Sequence, residues 1–194
     1  MGKIYYVIGK SSSGKDTIYK QLIERTDLGL HELVLYTTRP IRSGETDGVE
    51  YFFVSEEKYE QLKSAGSIIE ERAYQTVYGI WKYFTVDDGQ IDLLKCNYLV
   101  TGTLESFCST RDYFGEKDVL PIYIDLDDGV RLQRALQREQ QQQEPKYKEM
   151  CRRFIADAED FSEEKIKNAN INKVFYNDDL THCIEEIATY IKQA

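Results

Sequence analysis

One short run limits the possible folds of this chain more than any other. Gly9-Lys10-Ser11-Ser12-Ser13-Gly14-Lys15 fits the spacing G-x-x-x-x-G-K. It follows the apolar Ile4-Tyr5-Tyr6-Val7-Ile8 and precedes Ile18-Tyr19-Lys20-Gln21-Leu22-Ile23, which reads as a helix. A strand that passes through such a loop into a helix is a phosphate-binding unit. Gly9 and Gly14 let the backbone curl so that successive N–H groups aim at one anion. The helix N-terminus adds partial positive charge, and Lys15 reaches the outer phosphates. Gly9, Lys10, Ser11, Ser12, Ser13, Gly14, Lys15, Asp16 and Thr17 are therefore the candidate ATP site. The spacing asks for Ser or Thr after the lysine, to ligate Mg²⁺, and Asp16 stands there instead. A carboxylate also ligates Mg²⁺, so Asp16 is the candidate metal residue, although it adds negative charge beside the phosphates.

Apolar, β-rich runs at 3–8, 32–36, 97–101, 119–124 and 173–176 alternate with helical spacing at 15–26, 103–113, 127–139, 147–168 and 179–192. That alternation predicts an α/β protein with a central parallel sheet and helices on both faces, a three-layer P-loop NTPase fold. Residues 36–83 break it with Tyr, Thr, Phe and Gly, strand-like pieces at 50–54 and 68–73 and a helix-like 55–65, and read as an inserted antiparallel lobe. The polar 139–145 reads as a mobile loop or helix break.

Composition excludes several classes. At 194 residues, 41% hydrophobic and 30% charged, the chain can bury a core, and it shows no apolar run of membrane-spanning length. A net charge of −9 disfavours nucleic acid and anionic membranes as partners unless basic residues concentrate locally. Four dispersed cysteines and two histidines argue against a zinc site or disulfide framework, and no signal-peptide pattern opens the chain, so the expected compartment is the cytoplasm.

Basic residues do concentrate in two places. In the run from Thr37 to Val54, Arg39, Arg42 and Tyr51 can converge on one anion, since arginine offers a planar fork suited to phosphate oxygens. Between 127 and 153 there are seven basic residues against five acidic, and Arg131, Arg134 and Arg138 share one helix face. Trp81 could stack on a base, but its neighbourhood fits packing as well.

The order T-T-R-x-x-R-x-G-E-x-x-G-x-x-Y-x-F-V over residues 37–54 resembles the guanylate kinase family. Ile69-Glu70, Tyr78-Gly79, the lid arginines and Val174 to Asp179 match in the same order, so the resemblance covers about 3–192. It implies transfer of the γ-phosphoryl of ATP to GMP, with Mg²⁺, by a monomer or homodimer. It divides the chain into a core (1–35, 96–126, 154–194), a mixed α/β acceptor lobe (36–95) and a helical lid (127–153). Arg39, Arg42, Tyr51, Tyr78 and Gly79 would hold the acceptor, with Glu45 supporting the arginines. Glu70 would accept from the guanine N1–H and 2-amino group. Lys15, Arg134, Arg138 and Arg153 would stabilise the transferring group.

The departures gather around the base. Leu35 and Ile80 stand where the family has hydroxyls, and Thr101-Gly102-Thr103 replaces a D-x-D. Gly-Lys-Asp in the loop and the small polar residues at 101–103 resemble ribose 1,5-bisphosphate phosphokinases. The alternatives are thus a different phosphorylated acceptor, or a guanylate-kinase-like binding module without catalysis. The intact Lys15 and lid arginines argue against the second.

Overall fold

A computed structural model describes residues 1–76 and 79–194. Its centre is the strand that feeds the phosphate loop. β1 (Ile4–Gly9) is buried along its whole length, which accounts for its unbroken apolar run. Into the loop it hands the chain to α1 (Lys15–Ile23), with Gly14 at the junction in the left-handed region at φ 92°. The helix stops at Ile23, short of the expected 26, and a single 3₁₀ turn at Thr26–Leu28 ends in the left-handed Gly29.

The expected strand at 32–36 divides. β2 (Leu30–Glu32) joins the central sheet, whereas β3 (Tyr36–Thr37) joins a second sheet with β4 (Phe52–Phe53), β5 (Ile68–Thr76) and β6 (Gly79–Val86). α2 (Glu56–Ser64) lies between β4 and β5, capped by Ser55, whose side chain accepts from the Lys58 amide. The second sheet runs β4-β3-β6-β5. Its β3–β6 and β5–β6 pairings are antiparallel, but β3 pairs β4 in parallel, so the lobe is mixed where antiparallel pairing was expected. The connection from Thr38 to Tyr51, which carries the two arginines, is long enough to bring the chain back in the same direction.

β7 (Asn97–Thr101) returns to the central sheet and leads into α3 (Leu104–Phe114), where Thr103 and Ser106 form a reciprocal capping box. β8 (Val119–Asp125), α4 (Asp128–Gln140), α5 (Tyr147–Asp160), α6 (Glu163–Asn168), β9 (Val174–Tyr176) and α7 (Leu180–Gln193) complete the chain. The helix expected over 147–168 is two helices, broken at Phe161–Ser162. The Gln-rich run ends α4 and turns, with the Lys146 amide donating to Glu139.

The central sheet has the order β2-β7-β1-β8-β9 and all its pairings are parallel. Alternate residues of β1 serve opposite faces. Tyr5 and Val7 pack with α1 and α7, while Ile4, Tyr6 and Ile8 pack with Leu104 and Phe107 of α3. One face of α7 is buried: Cys183, Ile184, Ile187, Ala188 and Ile191 all turn inward. No helix among the described residues is long and apolar enough to cross a membrane.

The second sheet has its own small core of Tyr59, Phe84 and Val86, with Phe84 fully buried against the rings of Tyr36 and Tyr59. Phe84→Ala removes the middle of that core and should cost about 3–5 kcal/mol of stability, measured by urea denaturation. An unchanged midpoint would show that the lobe is held by other contacts.

Candidate active site

The phosphate loop is fastened from two sides. Asn177, just beyond β9, is buried and its amide donates to the Ser13 carbonyl at 2.7 Å. A Cβ on Gly14 would stand 2.2 Å from the same Asn177 nitrogen, so glycine is required there both for its positive φ and for that close approach. On the other side, the Ser11 amide donates to the Asp157 carboxylate at 2.8 Å, and Lys10 pairs with Asp128 at 3.3 Å. Both carboxylates also flank Arg131, at 3.4 Å for Asp128 and 3.7 Å for Asp157.

Arg131 therefore has a different place from its neighbours on the helix face. It is 1% exposed and its guanidinium lies 4.8 Å from the centre of the Phe154 ring, where it joins α4 to α5. Arg134 and Arg138 are exposed and line a hollow with Ser12, Gly14, Lys15, Asp16 and Thr17. Arg138 and Arg153 line an adjoining hollow with Ser11 and Ser12. Arg153 donates to Glu149, whose carboxyl is held down at about 2 by Arg152 and then Arg153. The three lid arginines named from the sequence thus border the loop, with Lys15 Nζ 3.3 Å from the Asp16 carboxylate. Asp16 is exposed, and with the Thr17 hydroxyl beside it supplies oxygen donors of the kind a hard cation such as Mg²⁺ takes.

On the connection between β3 and β4, Arg39 and Glu45 form a bidentate pair, at 2.8 and 2.9 Å. Arg39 is 3% exposed, donates also to the Pro40 carbonyl, and lies 5.6 Å from the Tyr51 ring centre and 5.3 Å from that of Phe53. Its Nε is buried and has no partner among the described residues. Glu45 also accepts from the Arg42 amide at 2.7 Å, and Arg39 foremost, then that amide, lowers its carboxyl below the ordinary range. Arg42 itself is exposed. Tyr78 lies outside the described residues, and Gly79 opens β6 at φ 110°.

An aromatic run links this grip to the loop. Tyr51 meets Tyr83 edge-on at 5.6 Å and Tyr83 meets Tyr74 at 5.7 Å. Tyr74 lines a cleft of about 600 Å³ with Gly9, Ser11, Lys15, Gly102 and Thr103.

Around the expected base site, three features were not foreseen from the sequence. A β-bulge between Ile68 and Glu70 buries Ile69 and Glu70 in succession. Glu70 is then occupied by protein donors: Arg72 Nε at 3.1 Å, Arg72 Nη2 at 3.3 Å and Thr85 Oγ1 at 2.8 Å. The threonines that replace D-x-D are also engaged differently, since Thr103 caps α3 and Thr101 Oγ1 is buried with no partner among the described residues. Gly102 leaves room for the Tyr6 hydroxyl, which a Cβ would approach to 2.7 Å. Burial first, and Glu70 next, push the Tyr6 hydroxyl up to about 12. Leu35 is buried and Ile80 exposed.

A guanylate kinase family model matches residues 1–84, the stretch that holds both the loop and the Arg39–Glu45 pair. The guanylate kinase of Porphyromonas gingivalis is 28% identical over all of this chain and 98% of its own length. The chain is similar to guanylate kinases from end to end. The guanylate kinase of Wolbachia pipientis is 29% identical over 99% of this chain and 90% of its own. The guanylate kinase of Symbiobacterium thermophilum is 40% identical, but over 47% of this chain and only 40% of its own length. The crystal structure of guanylate kinase from Anaplasma phagocytophilum has the same fold, with a TM-score of 0.66 at 22% identity over 99% of this chain and 85% of that one. The strongest similarity to guanylate kinases thus lies in the first half, ahead of the altered 101–103.

The clamp on the loop is testable. Asn177→Ala leaves the Ser13 carbonyl buried without a donor, at a cost of about 1–3 kcal/mol. ATP affinity should fall with stability, measured by calorimetric titration and thermal melting. A variant that melts lower but binds ATP normally would separate Asn177 from the loop's function.

Proposed function

We propose that this chain transfers the γ-phosphoryl group of ATP to the phosphate of a nucleoside monophosphate, with GMP as the acceptor, giving ADP and GDP. The observation that supports the reading is that the lobe holding the Arg39–Glu45 pair is linked through the rings of Tyr51 and Tyr83 to Tyr74, which lines the cleft of Gly9 and Lys15. The Gly9–Lys15 loop has Arg134 and Arg138 at its side, and Arg39, Arg42 and Glu45 form a second cationic group on the lobe. A single phosphate site would serve a binding module. Two sites of different construction, joined through Tyr74, Tyr83 and Tyr51, suit a donor and an acceptor.

In the step, an oxygen of the acceptor phosphate forms a bond to Pγ as the bond from Pγ to the β,γ-bridging oxygen breaks, and the electron pair leaves on ADP. Little covalent work falls to the protein in such a reaction; positioning and charge stabilisation dominate. Lys15 and the loop amides hold the β- and γ-phosphates. Arg134, Arg138 and Arg153, which line hollows with the loop, neutralise charge on the transferring oxygens. Arg39 and Arg42, with Tyr51 and Tyr78, orient the acceptor phosphate, and Glu45 fixes the Arg39 fork. Asp16, with Thr17, would hold Mg²⁺, which supplies further neutralisation of phosphate charge.

Two substitutions test the two grips separately. Lys15→Ala removes a contact to charge in the transition state and should lower kcat by about 10²–10³ with the fold intact, since the side chain pairs with the exposed Asp16. Arg42→Met is the cleaner acceptor variant because the Arg42 side chain is exposed, whereas Arg39 is built into the lobe. It should raise the acceptor KM about 10–100-fold, the worth of one charged hydrogen bond, without changing the KM for ATP. Turnover with ATP and GMP, measured by ADP release, checks both. An equal loss of ATP binding in the Arg42 variant would put the lobe on the wrong ligand.

A further inference from the structure

The Glu70–Arg72 pair reaches beyond this reading. A carboxylate offers about four acceptor positions. Glu70 has three of them filled, two on Oε1 by Arg72 Nη2 and Thr85 Oγ1, and one on Oε2 by Arg72 Nε. One position remains. Arg72 spends two of its five N–H groups on Glu70, so three remain to donate. The Glu70 side chain is 1% exposed and that of Arg72 is 10%, which makes the arginine the open member of the pair.

Strand alternation puts Glu70, Arg72 and Tyr74 on one face of β5, and Tyr74 lines the cleft with Lys15. The charge of Arg72 is felt by Tyr6 on one side and by Tyr51 on the other. Tyr51 carries Arg39 against its ring and meets Tyr83, which stands opposite Arg72 in the β5–β6 pairing, so Arg72 neighbours the Arg39 grip. Leu35 and Ile80 bring no side-chain donor to that region.

We propose that Arg72 is a specificity-determining residue that reads the acceptor's base by donating to a ring carbonyl oxygen, while the last open position of Glu70 accepts the neighbouring ring N–H. This rests on the phosphoryl-transfer reading for the class of acceptor and names the bases it admits. A donor set beside a single acceptor complements C=O next to N–H, the edge shared by guanine and hypoxanthine. Adenine presents an amino group beside a bare nitrogen, the reverse pattern. The 2-amino group of guanine needs a second carboxylate position, and Arg72 holds it. The site therefore admits 6-oxopurine monophosphates and does not read the 2-amino group.

The test uses the full chain with ATP and three acceptors, GMP, IMP and AMP. ADP release gives kcat/KM, and calorimetry gives affinity independently of turnover. IMP should fall within about fivefold of GMP, and AMP should lie at least about 10²-fold below both, as expected where a buried polar pair meets the wrong edge. Arg72→Lys keeps the charge beside Glu70 but loses the planar fork. It should weaken GMP and IMP together by about tenfold with the KM for ATP unchanged. Because Arg72→Met alone would strand a buried carboxylate, the double variant E70Q/R72M is the partner experiment. It should bring GMP, IMP and AMP to within about fivefold of one another, since the polar pair that separates them is gone.

An IMP value 30-fold or more below GMP would overturn the proposal, because Glu70 would then be reading two donors with Arg72 displaced. So would an unchanged ratio of GMP to AMP in either variant. If none of the three releases ADP, the transfer reading fails, and the calorimetric ratios alone decide the role of Arg72. Absence of binding by all three overturns that role too.

Discussion

The most buried strand of the molecule ends in a loop that must aim its amides outward, and the fold is organised around holding that loop in place. Its turn requires a left-handed Gly14, a conformation costly for most residues, and the Asn177 amide closes on the Ser13 carbonyl behind it. Asn177 can be there only because β9 pairs with β8 and β8 with β1, which brings the chain's last strand to the level of its first loop. The all-parallel order with β1 at its centre is thus what the phosphate site needs. The same end of the sheet receives α4 and α5, whose carboxylates at Asp128 and Asp157 hold Lys10 and Ser11.

A chain with nine excess negative charges still assembles a cationic cleft, and it does so by giving each buried arginine a carboxylate. Arg39 has Glu45, Arg72 has Glu70, and Arg131 has Asp128 and Asp157. Each partner orients a guanidinium and offsets the desolvation that burial imposes, at the cost of some local positive charge. Arg42, Arg134, Arg138 and Arg153 are exposed, and of these Arg153 pairs with Glu149 at the surface. Burial therefore separates the arginines built into the protein's own ion pairs from those that face solvent.

Legibility in the sequence follows the range of the forces involved. β1, β7, β8 and α7 are readable because burial on one or both faces imposes a local pattern, as in the spacing of Ile184, Ile187 and Ile191. The loop is readable because its chemistry is local in the chain, and the acceptor arginines because their order resembles that of a family. The parallel pairing of β3 with β4 is not legible, since a two-residue strand carries no period and its direction is set by the long Thr38–Tyr51 connection. The break at Phe161–Ser162 is hidden because both halves have helical composition. Arg131, Arg72 and Asp157 escape for a common reason: each matters through a partner remote in sequence or masked by an ordinary charged context. Arg131 looks like any member of its helix row until α5 is packed against it.

β2 and β7 are hydrogen-bonded neighbours, with Leu30 opposite Asn97. Everything between them, including the second sheet and both acceptor arginines, leaves the central sheet and re-enters it beside its own point of departure. An excursion closed in this way can change length or content without altering the pairing on either side of it. Its two ends are already held together by the ladder, so a new excursion would incur little additional loop-closure entropy. The phosphate loop is therefore topologically insulated from the inserted second sheet. A grafted acceptor segment from a relative, joined at those two strands, would inherit an intact phosphate loop and an intact lid.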